Sequence, residues 1–209
     1  MSPDASSLVV GADGRPRCAW AGESTDYVAY HDEEWGRPVH GERVLYERIT
    51  LEAFQSGLSW LTILRRREGF RAAFGGFDAD TVAAYDDDDI ARLLQDTSII
   101  RNSAKIRAAV TNARAVVRLR EDGGLDQLLW SYAPPPRERR PATLADVPAV
   151  TPESTALAKA LRSRGFAFVG PTTAYATMQA CGLVDDHVDG CCVPPQGVSA
   201  PATDTEPVS

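Results

Sequence analysis

Residues 86–120 read DDDDIARLLQDTSIIRNSAKIRAAVTNARAVVRLR, and their pattern predicts two amphipathic helices joined by a short turn. The aspartates favour a helix N-terminus, where carboxylates interact well with the helix dipole, and an apolar face follows from Ile90 to Leu94. A longer helix is predicted from Asn102 to Arg120, because apolar residues recur there at three- and four-residue spacing. No segment elsewhere shows the sustained alternation of a strand, so the sequence predicts an all-α fold.

The chain of 209 residues has 44% hydrophobic content, which is enough for one domain with a full core. Residues 1–16 and 195–209 are rich in Ser, Pro, Gly and Asp, and we expect both to be disordered tails. The domain is therefore predicted to span residues 17–194. Capping residues and apolar spacing predict further helices at 41–56, after Ser59, at 152–164 and at 171–181.

The sequence also bears on the cellular compartment in which the protein is expected. No apolar run approaches the ~18 residues that a membrane span needs, and the first residues lack the basic and apolar segments of a secretory signal. The four cysteines, at positions 18, 181, 191 and 192, are then expected to be ligands or buried thiols rather than disulfides. We therefore expect a soluble cytoplasmic protein.

The net charge of -7 argues against a protein that coats nucleic acid nonspecifically. The charge is unevenly distributed, however, because residues 99–120 contain six basic residues and no acidic one. An acidic protein with one basic segment is still compatible with local binding of a phosphate backbone.

The segment DHVDGCC at 186–192 combines a histidine with two cysteines in a chain that has only three histidines and four cysteines. His187 and Cys191, joined by Cys18 and His31 from the N-terminal part, would make a Cys2His2 site for Zn²⁺. Such a site has no open position for water, so the predicted role of the metal is structural.

The spacing alone leaves other interpretations open. The same histidines and thiols could be core residues without a metal, and Cys192 could replace Cys191 as a ligand. Cys181 lies on an apolar helix face and is expected in the core, and His40 is expected on the surface. Three acidic neighbours are candidates to orient the imidazoles by hydrogen bonding: Asp32, Asp185 and Asp186.

Four longer segments, at 27–36, 51–74, 99–115 and 164–192, carry a resemblance to a known family. They read YVAYHDEEWG, LEAFQSGLSWLTILRRREGFRAAF, IIRNSAKIRAAVTNARA and RGFAFVGPTTAYATMQACGLVDDHVDGCC. Together they resemble the 3-methyladenine DNA glycosylase I family, the zinc-containing branch of the helix-hairpin-helix glycosylases. The similarity runs in unbroken order from about Arg17 to Pro194.

The resemblance implies an enzyme that hydrolyses the N-glycosidic bond of 3-methyladenine in alkylated double-stranded DNA, with no lyase step. It implies a glycosylase domain at 17–194, in which a zinc-bound lobe of N- and C-terminal segments joins a helix-hairpin-helix lobe at about 60–133. The family is monomeric, and we expect the same here. The family's zinc ligands fall on Cys18, His31, His187 and Cys191.

The resemblance also places Tyr30, Glu52 and Trp60 in the base pocket, with Tyr27 beside them. Methylation at N3 makes the purine a cation and a good leaving group, so a pocket for the flipped base needs aromatic faces and an acceptor more than a carboxylate pair. We assign Trp60 as the stacking face and Glu52 as the acceptor for the base edge. Tyr30 is the second wall and a hydrogen-bonding phenol, which makes Glu52 and Tyr30 the catalytic candidates.

Other aromatic and polar residues remain less defined. Trp35 and Trp130 are expected to pack in the core, whereas Trp20 is compatible with either core or pocket. Gln55 either covers Glu52 or lies at the surface. The loop 134–148 contains only Glu138 and Asp146 as carboxylates, and neither is assigned as a catalytic acid or base.

The resemblance further implies that a helix-hairpin-helix grips DNA, with helices Asp88–Leu94 and from Asn102 joined by the turn Gln95–Arg101. Backbone amides at such a hairpin bind phosphate without reading sequence. Arg101 and Lys105 are predicted to add positive charge at this surface. The turn has Thr97 and Ser98 where the family often has glycine, so a positive φ there would be strained.

Two other functions are considered. A catalytically inactive, zinc-stabilised nucleic-acid-binding protein is the main alternative, but it would not need Tyr30, Glu52 and Trp60 together. A zinc hydrolase would need an open metal position, which two thiolates and two imidazoles do not leave.

Overall fold

The computed structural model describes residues 7–195 and confirms the all-α class. Ten α-helices lie in this range, joined by short 3-10 turns and one two-stranded sheet. The helices are α1 (Thr25–Glu33), α2 (Glu42–Gln55), α3 (Trp60–Leu64), α4 (Arg67–Ala73), α5 (Ala79–Ala83), α6 (Asp87–Gln95), α7 (Ser103–Leu119), α8 (Gly124–Trp130), α9 (Pro152–Ser163) and α10 (Pro171–Ala180). None of these helices is both long and apolar enough to cross a membrane.

Helices α2 and α7 form the centre of the core. Helix α2 packs against α3, α7, α8 and α10, while α7 also packs against α5 and α6. Every residue of α2 from Leu45 to Phe54 is buried, so this helix has no solvated face over three turns. The Tyr46 hydroxyl joins the two helices by donating a hydrogen bond to the Ala109 carbonyl at 2.9 Å.

The α6–turn–α7 unit predicted from residues 86–120 is confirmed, and side chains hold both of its helix starts. Asp86 caps α6 by accepting hydrogen bonds from the amides of the second and third following residues at 3.0 and 3.1 Å. Asn102 caps α7 by accepting from the Lys105 amide at 3.1 Å.

The turn between α6 and α7 forms without glycine because a side chain supplies the missing acceptor. Asp96 Oδ1 accepts from the Ser98 amide at 2.8 Å and from its hydroxyl at 2.6 Å. Among the described non-glycine residues, a positive φ occurs only at Phe77 and Phe168, which lie outside this turn. The strain anticipated at Thr97 and Ser98 is therefore not present.

Two local features differ from the sequence-based expectations. The helix capped by Ser59 ends at Leu64, and α4 starts at Arg67 after a break where Arg66 has φ -101° and ψ 2°. The backbone of Ser98 lies so close to Gly69 of α4 that a Cβ there would approach its oxygen to 2.7 Å, so the break aligns α4 under the turn. Helix α1 was not anticipated from the polar segment that forms it.

Residues 8–18 form a β-hairpin, so the predicted disordered tail at 1–16 is wrong for residues 7–16. Strand β1 (Leu8–Val10) pairs antiparallel with β2 (Pro16–Cys18), and Leu8 lies opposite Cys18. The buried Arg17 guanidinium holds the hairpin by ion pairs of 2.6 Å to Asp13 and 2.8 Å to Asp32 of α1. Residues 1–6 and 196–209, on which the rest of the tail predictions fall, lie outside the described residues.

Lys105 ties α7 to the end of α2. Its residue is 8% exposed, and its ammonium donates hydrogen bonds to the carbonyls of Phe54 at 2.9 Å and Ser56 at 2.6 Å. These carbonyls lie in the last turn of α2 and at its C-cap, where carbonyls lack helical partners of their own. The Lys105 ammonium therefore caps the C-terminal end of α2, just before the loop that leads to Trp60.

We predict that Lys105→Met lowers the free energy of unfolding by about 1–3 kcal/mol, because it leaves the buried Phe54 carbonyl and the Ser56 carbonyl without their charged donor. Chemical denaturation of the two proteins measures the difference. Lys159→Met is the matched control, since Lys159 is exposed on α9 and should be replaceable without loss. Equal stability of Lys105→Met and the unmodified protein would contradict the tie.

Candidate active site and metal centre

A cavity of about 310 Å³ opens between α1, α2, the start of α3 and α10. Five aromatic side chains line it, and the segment after residue 143 contributes two aliphatic residues. Its lining residues are Trp20, Tyr27, Tyr30, Trp35, Glu52, Gln55, Trp60, Leu144, Val147, Ala176, Gln179 and Asp186. The structure thus brings Tyr27, Tyr30, Glu52 and Trp60, the four predicted pocket residues, to one cavity.

Glu52 points into this cavity from the most buried helix of the protein. It is 6% exposed, and no side chain or backbone group in the described part of the chain donates a hydrogen bond to its carboxylate. Burial raises the pKa of Glu52 to about 8, although the charge of Arg48, one turn earlier on α2, opposes the shift. The carboxyl group is therefore an unused acceptor in an apolar setting.

The environment of Arg48 explains why it offsets this effect only in part. Its Nη2 donates to Glu34 at 2.6 Å, and its guanidinium lies 5.8 Å from the centre of the Tyr30 ring. Arg67 donates two further hydrogen bonds to Glu34, at 2.6 and 2.8 Å. Burial alone would raise the pKa of Glu34, but these two arginines lower it to about 2.

Five aromatic rings line the cavity, and neighbouring rings stand at angles to one another. The Tyr30 and Trp60 ring centres are 5.2 Å apart at an interplanar angle of 45°, so the two rings contact each other at a tilt beside the cavity. Trp20 contacts Tyr27 edge-on at 5.8 Å, and the Tyr27 hydroxyl accepts from the Leu61 amide at 3.2 Å. The buried Trp60 Nε1 has no hydrogen-bond partner within residues 7–195, so a donor remains for a ligand.

The structure decides the open aromatic assignments. Trp35 was expected in the core but lines the cavity, and its ring lies 4.9 Å from that of Trp20, which lines it too. Trp130 packs as expected, because it is half-buried and its indole donates to the Val39 carbonyl at 3.0 Å. Gln55 lines the cavity rather than lying away from it.

Gln179 and Asp186 are cavity residues that the sequence analysis did not assign to the pocket. Asp186 was considered only as a partner for a metal-binding imidazole. It turns instead toward the cavity, where its Oδ2 accepts from the Tyr175 hydroxyl at 2.6 Å and from Gln179 Nε2 at 2.8 Å. Because Asp186 is next to the predicted metal ligand His187, its sequence position suggested a role at the metal site and gave no signal for a role in the cavity.

Three of the four predicted metal ligands meet beside the cavity, and the fourth, His187, lies next to them. The ligand atoms of Cys18, His31 and Cys191 lie within 4.8 Å of one another. The His187 ring lies 5.0 Å from that of His31, and its buried Nε2 has no hydrogen-bond partner among the described residues. A bound cation would satisfy this orphaned nitrogen, so the four side chains fit a Cys2His2 zinc site.

A carboxylate holds the Nδ1 of each imidazole, and the Nε2 of His31 lies 3.4 Å from the Cys191 sulfur. His31 Nδ1 lies 2.8 Å from Asp32, and His187 Nδ1 lies 2.8 Å from Asp185. Burial raises the pKa of Asp185, but hydrogen bonds from His187 and Arg140 outweigh it and lower the pKa to about 2. The ionised carboxylates therefore hold a proton on each Nδ1 and leave each Nε2 as a ligand.

The other cysteines and the third histidine are elsewhere. Cys192 is not part of the cluster of described ligand atoms, Cys181 is buried in the core, and His40 is exposed and stacks on Trp130 at 4.5 Å. At the centre of the cluster, a hydrogen bond between the two sulfurs lowers the pKa of Cys191 and raises that of Cys18. Ionisation of Cys191 is thus favoured over ionisation of Cys18.

The two predicted DNA-contacting residues differ in what they can do. Arg101 is exposed at the start of α7 and forms no ion pair with a described residue. Lys105 is buried with its ammonium on two carbonyls, so its assignment as a phosphate contact is wrong. Position near a helix N-terminus suggested a surface role for Lys105, whereas its side chain runs inward.

Comparison with known proteins agrees with this geometry. The family model described as "Methyladenine glycosylase" matches residues 20–194. The DNA-3-methyladenine glycosylase 1 of Escherichia coli strain K12 is 47% identical over 181 residues, which cover 86% of this chain and 97% of that protein. A crystal structure of 3-methyladenine DNA glycosylase I has a TM-score of 0.82 and 48% identity, covering 85% of this chain and all of the other.

A second solved relative is a tyrosine variant of 3-methyladenine DNA glycosylase I in complex with 3-methyladenine. It superposes with a TM-score of 0.82 at 32% identity, and the match covers 86% of this chain and 98% of that one. The family model spans the cavity, the metal-ligand cluster from His31 onward and both central helices, and the relatives match over nearly their whole length. The chain therefore belongs to the methyladenine glycosylase family.

Proposed function

We propose that this protein is a DNA repair glycosylase that hydrolyses the N-glycosidic bond of 3-methyladenine in alkylated DNA. The observation that carries the proposal is the buried Glu52 carboxyl group, which has no donor among the described residues and faces a cavity walled by aromatic rings. The named activity of the curated relatives agrees with it. The reaction class is hydrolysis of an N-glycosyl bond with no lyase step.

The site suits a cationic base better than a neutral one. A positive ring in the cavity is attracted to the faces of the aromatic side chains that line it, Tyr30 and Trp60 among them. The same charge stabilises ionised Glu52, because a nearby cation opposes the effect of burial on its pKa. Since N3 methylation already weakens the glycosidic bond, holding the flipped cationic base beside a carboxylate is the main task left to the protein.

An inactive nucleic-acid-binding protein is the second candidate, and the energetics of Glu52 disfavour it. A buried carboxyl group without a donor costs folding free energy and contributes nothing to binding a DNA backbone. The group makes sense only if a ligand enters the cavity. We therefore favour the enzyme.

A structural zinc ion held by Cys18, His31, His187 and Cys191 is part of the proposal. Four protein ligands leave no position for water, so the metal would supply no catalytic step and would join the N- and C-terminal segments. The orphaned Nε2 of His187 and the paired Nδ1 atoms of both histidines support this set.

DNA binding is proposed to use α6, its turn and α7 as a helix-hairpin-helix on double-stranded DNA. The α7 N-terminus and the exposed Arg101 offer a positive surface. We further propose that the protein acts as a monomer in the cytoplasm, where the free cysteines at 18, 181, 191 and 192 would stay reduced.

We predict that Glu52→Gln lowers the single-turnover rate of 3-methyladenine release by about 30-fold or more, as expected for the loss of ~2 kcal/mol in a charged hydrogen bond. The free energy of unfolding should not fall, because the change removes an unpaired buried carboxyl group. Release of the base from methylated DNA is followed by chromatography, and stability by urea denaturation.

Glu47→Gln provides the control on the same helix. Glu47 is also 6% exposed, but it is paired with Arg71 at 2.8 Å and does not line the cavity. This variant should lose stability and keep its rate of base release. A Glu52→Gln protein that releases base at the unmodified rate would refute the pocket assignment.

For the metal, we predict that Cys191→Ser loses bound zinc and that its thermal midpoint falls by at least about 5 °C, or roughly 2 kcal/mol for a domain of this size. Zinc per protein is measured by inductively coupled plasma mass spectrometry. Cys192→Ser should keep both zinc and thermal midpoint. Loss of zinc in Cys192→Ser with retention in Cys191→Ser would transfer the ligand role to Cys192.

For DNA binding, we predict that Arg101→Ala weakens affinity for undamaged duplex and reduces the slope of log K against log salt by about one, the value for one lost phosphate contact. Fluorescence anisotropy over a range of salt concentrations measures it. Arg162→Ala, an exposed change on α9, is the control and should leave the slope unchanged. An unchanged slope for Arg101→Ala would remove Arg101 from the DNA surface.

A further inference from the structure

The cavity contains a second buried carboxylate, and it is already engaged by an arginine and by two hydrogen bonds to one of its oxygens. The Asp186 side chain is 0% exposed, and Arg137 Nη1 lies 2.6 Å from its Oδ1 in an ion-pair contact that lacks hydrogen-bond geometry. Its Oδ2 accepts from the Tyr175 hydroxyl at 2.6 Å and from Gln179 Nε2 at 2.8 Å. Asp186 is therefore an internal anchor, unlike Glu52, whose oxygens are free for a ligand.

The anchor fixes the orientation of Gln179. A carboxylate paired with arginine only accepts hydrogen bonds, so the Gln179 carboxamide must turn its NH2 group toward Asp186. Its Oε1 then points away from Asp186, and it accepts no hydrogen bond from any residue between 7 and 195. Because Gln179 lines the cavity and is only half-buried, this oxygen is accessible there.

The two purines differ in what they present to such an oxygen. Adenine carries an exocyclic amine with two hydrogens, whereas guanine carries the carbonyl oxygen O6 at the same ring position. One amine hydrogen can go to Glu52 and the other to a second acceptor. A guanine O6 facing both acceptors would meet lone pairs only, and the mismatch would leave buried polar groups unpaired.

We propose that Gln179 determines specificity for adenine over guanine, by presenting Oε1 to the exocyclic amine of the flipped base opposite Glu52, and that Asp186 is the residue that positions it. The inference rests on the proposed glycosylase function and adds the base edge that is read. It also gives the segment after α10 two roles, since His187 faces the metal-ligand cluster and Asp186 faces the cavity.

The test uses duplex DNA treated with a methylating agent, which contains both 3-methyladenine and 3-methylguanine. Single-turnover release of the two bases is measured by chromatography for the full-length protein and for Gln179→Met, which keeps side-chain length and removes the amide. We expect the ratio of 3-methyladenine to 3-methylguanine release to fall about tenfold, or ~1.4 kcal/mol. Asp186→Asn should lower the ratio in the same direction, because asparagine lets the amide turn over.

Thr177→Val is the control, because Thr177 is buried on the same helix, bonds only to the Thr173 carbonyl, and does not line the cavity. Any damage to α10 in this variant should slow both releases together and keep the ratio. If Gln179→Met does not fold, Gln179→Asn withdraws the amide by one carbon and takes its place.

Two outcomes separate this inference from the proposed function. An unmodified protein that releases no 3-methyladenine would refute the glycosylase assignment itself. An active unmodified protein whose ratio is unchanged in the Gln179 and Asp186 variants, or whose two releases fall in parallel, would refute the role of Gln179 alone.

Discussion

The structure depends on one costly arrangement, a carboxyl group buried without a hydrogen-bond donor at the centre of the most buried helix. Burial raises the pKa of Glu52 from 4.5 to about 8, so the folded protein holds a proton there that the unfolded chain would release. This group's contribution to stability is fully present below pH 4.5, falls as the pH rises toward 8, and is absent above. A cationic ligand reverses the effect, because it favours the ionised form. Burial of Glu52 therefore lowers the stability of the free protein, and the same burial favours binding of a positively charged base over a neutral one.

The metal-ligand cluster and the cavity share the same short segments. Tyr30 and His31 are consecutive on α1, and Trp35 touches both the cavity and the His187 ring at 4.7 Å. The segment after α10 likewise sends His187 to the cluster and Asp186 to the cavity. Any metal that fixes these imidazoles would also fix the walls around the base. A closed structural site can therefore affect catalysis without touching the substrate.

The sequence predicted the parts of the molecule that depend on local chemistry. Caps such as Ser59 and Asn102 set helix starts, and the resemblance placed Tyr30, Glu52 and Trp60, which the structure brings to one cavity. The sequence-based predictions failed where a contact with a residue distant in the chain determines the local structure. The hairpin at 8–18 persists because Arg17 reaches Asp32, and Lys105 turns inward because α2 ends beside it. Gln179 and Asp186 were missed for the same reason, since their roles depend on a contact between a helix and the loop after it.

The central claim is that Glu52 is buried, unpaired and poised to meet a cation, and a direct measurement is its titration by carbon-13 NMR of the side-chain carboxyl group. The Glu52→Gln protein identifies the resonance by its disappearance. The account predicts a pKa near 8 in the free protein, because burial raises it and the charge of Arg48 offsets only part of the shift. A pKa near 4.5 would mean that water or a donor already satisfies the carboxylate, and would contradict the account.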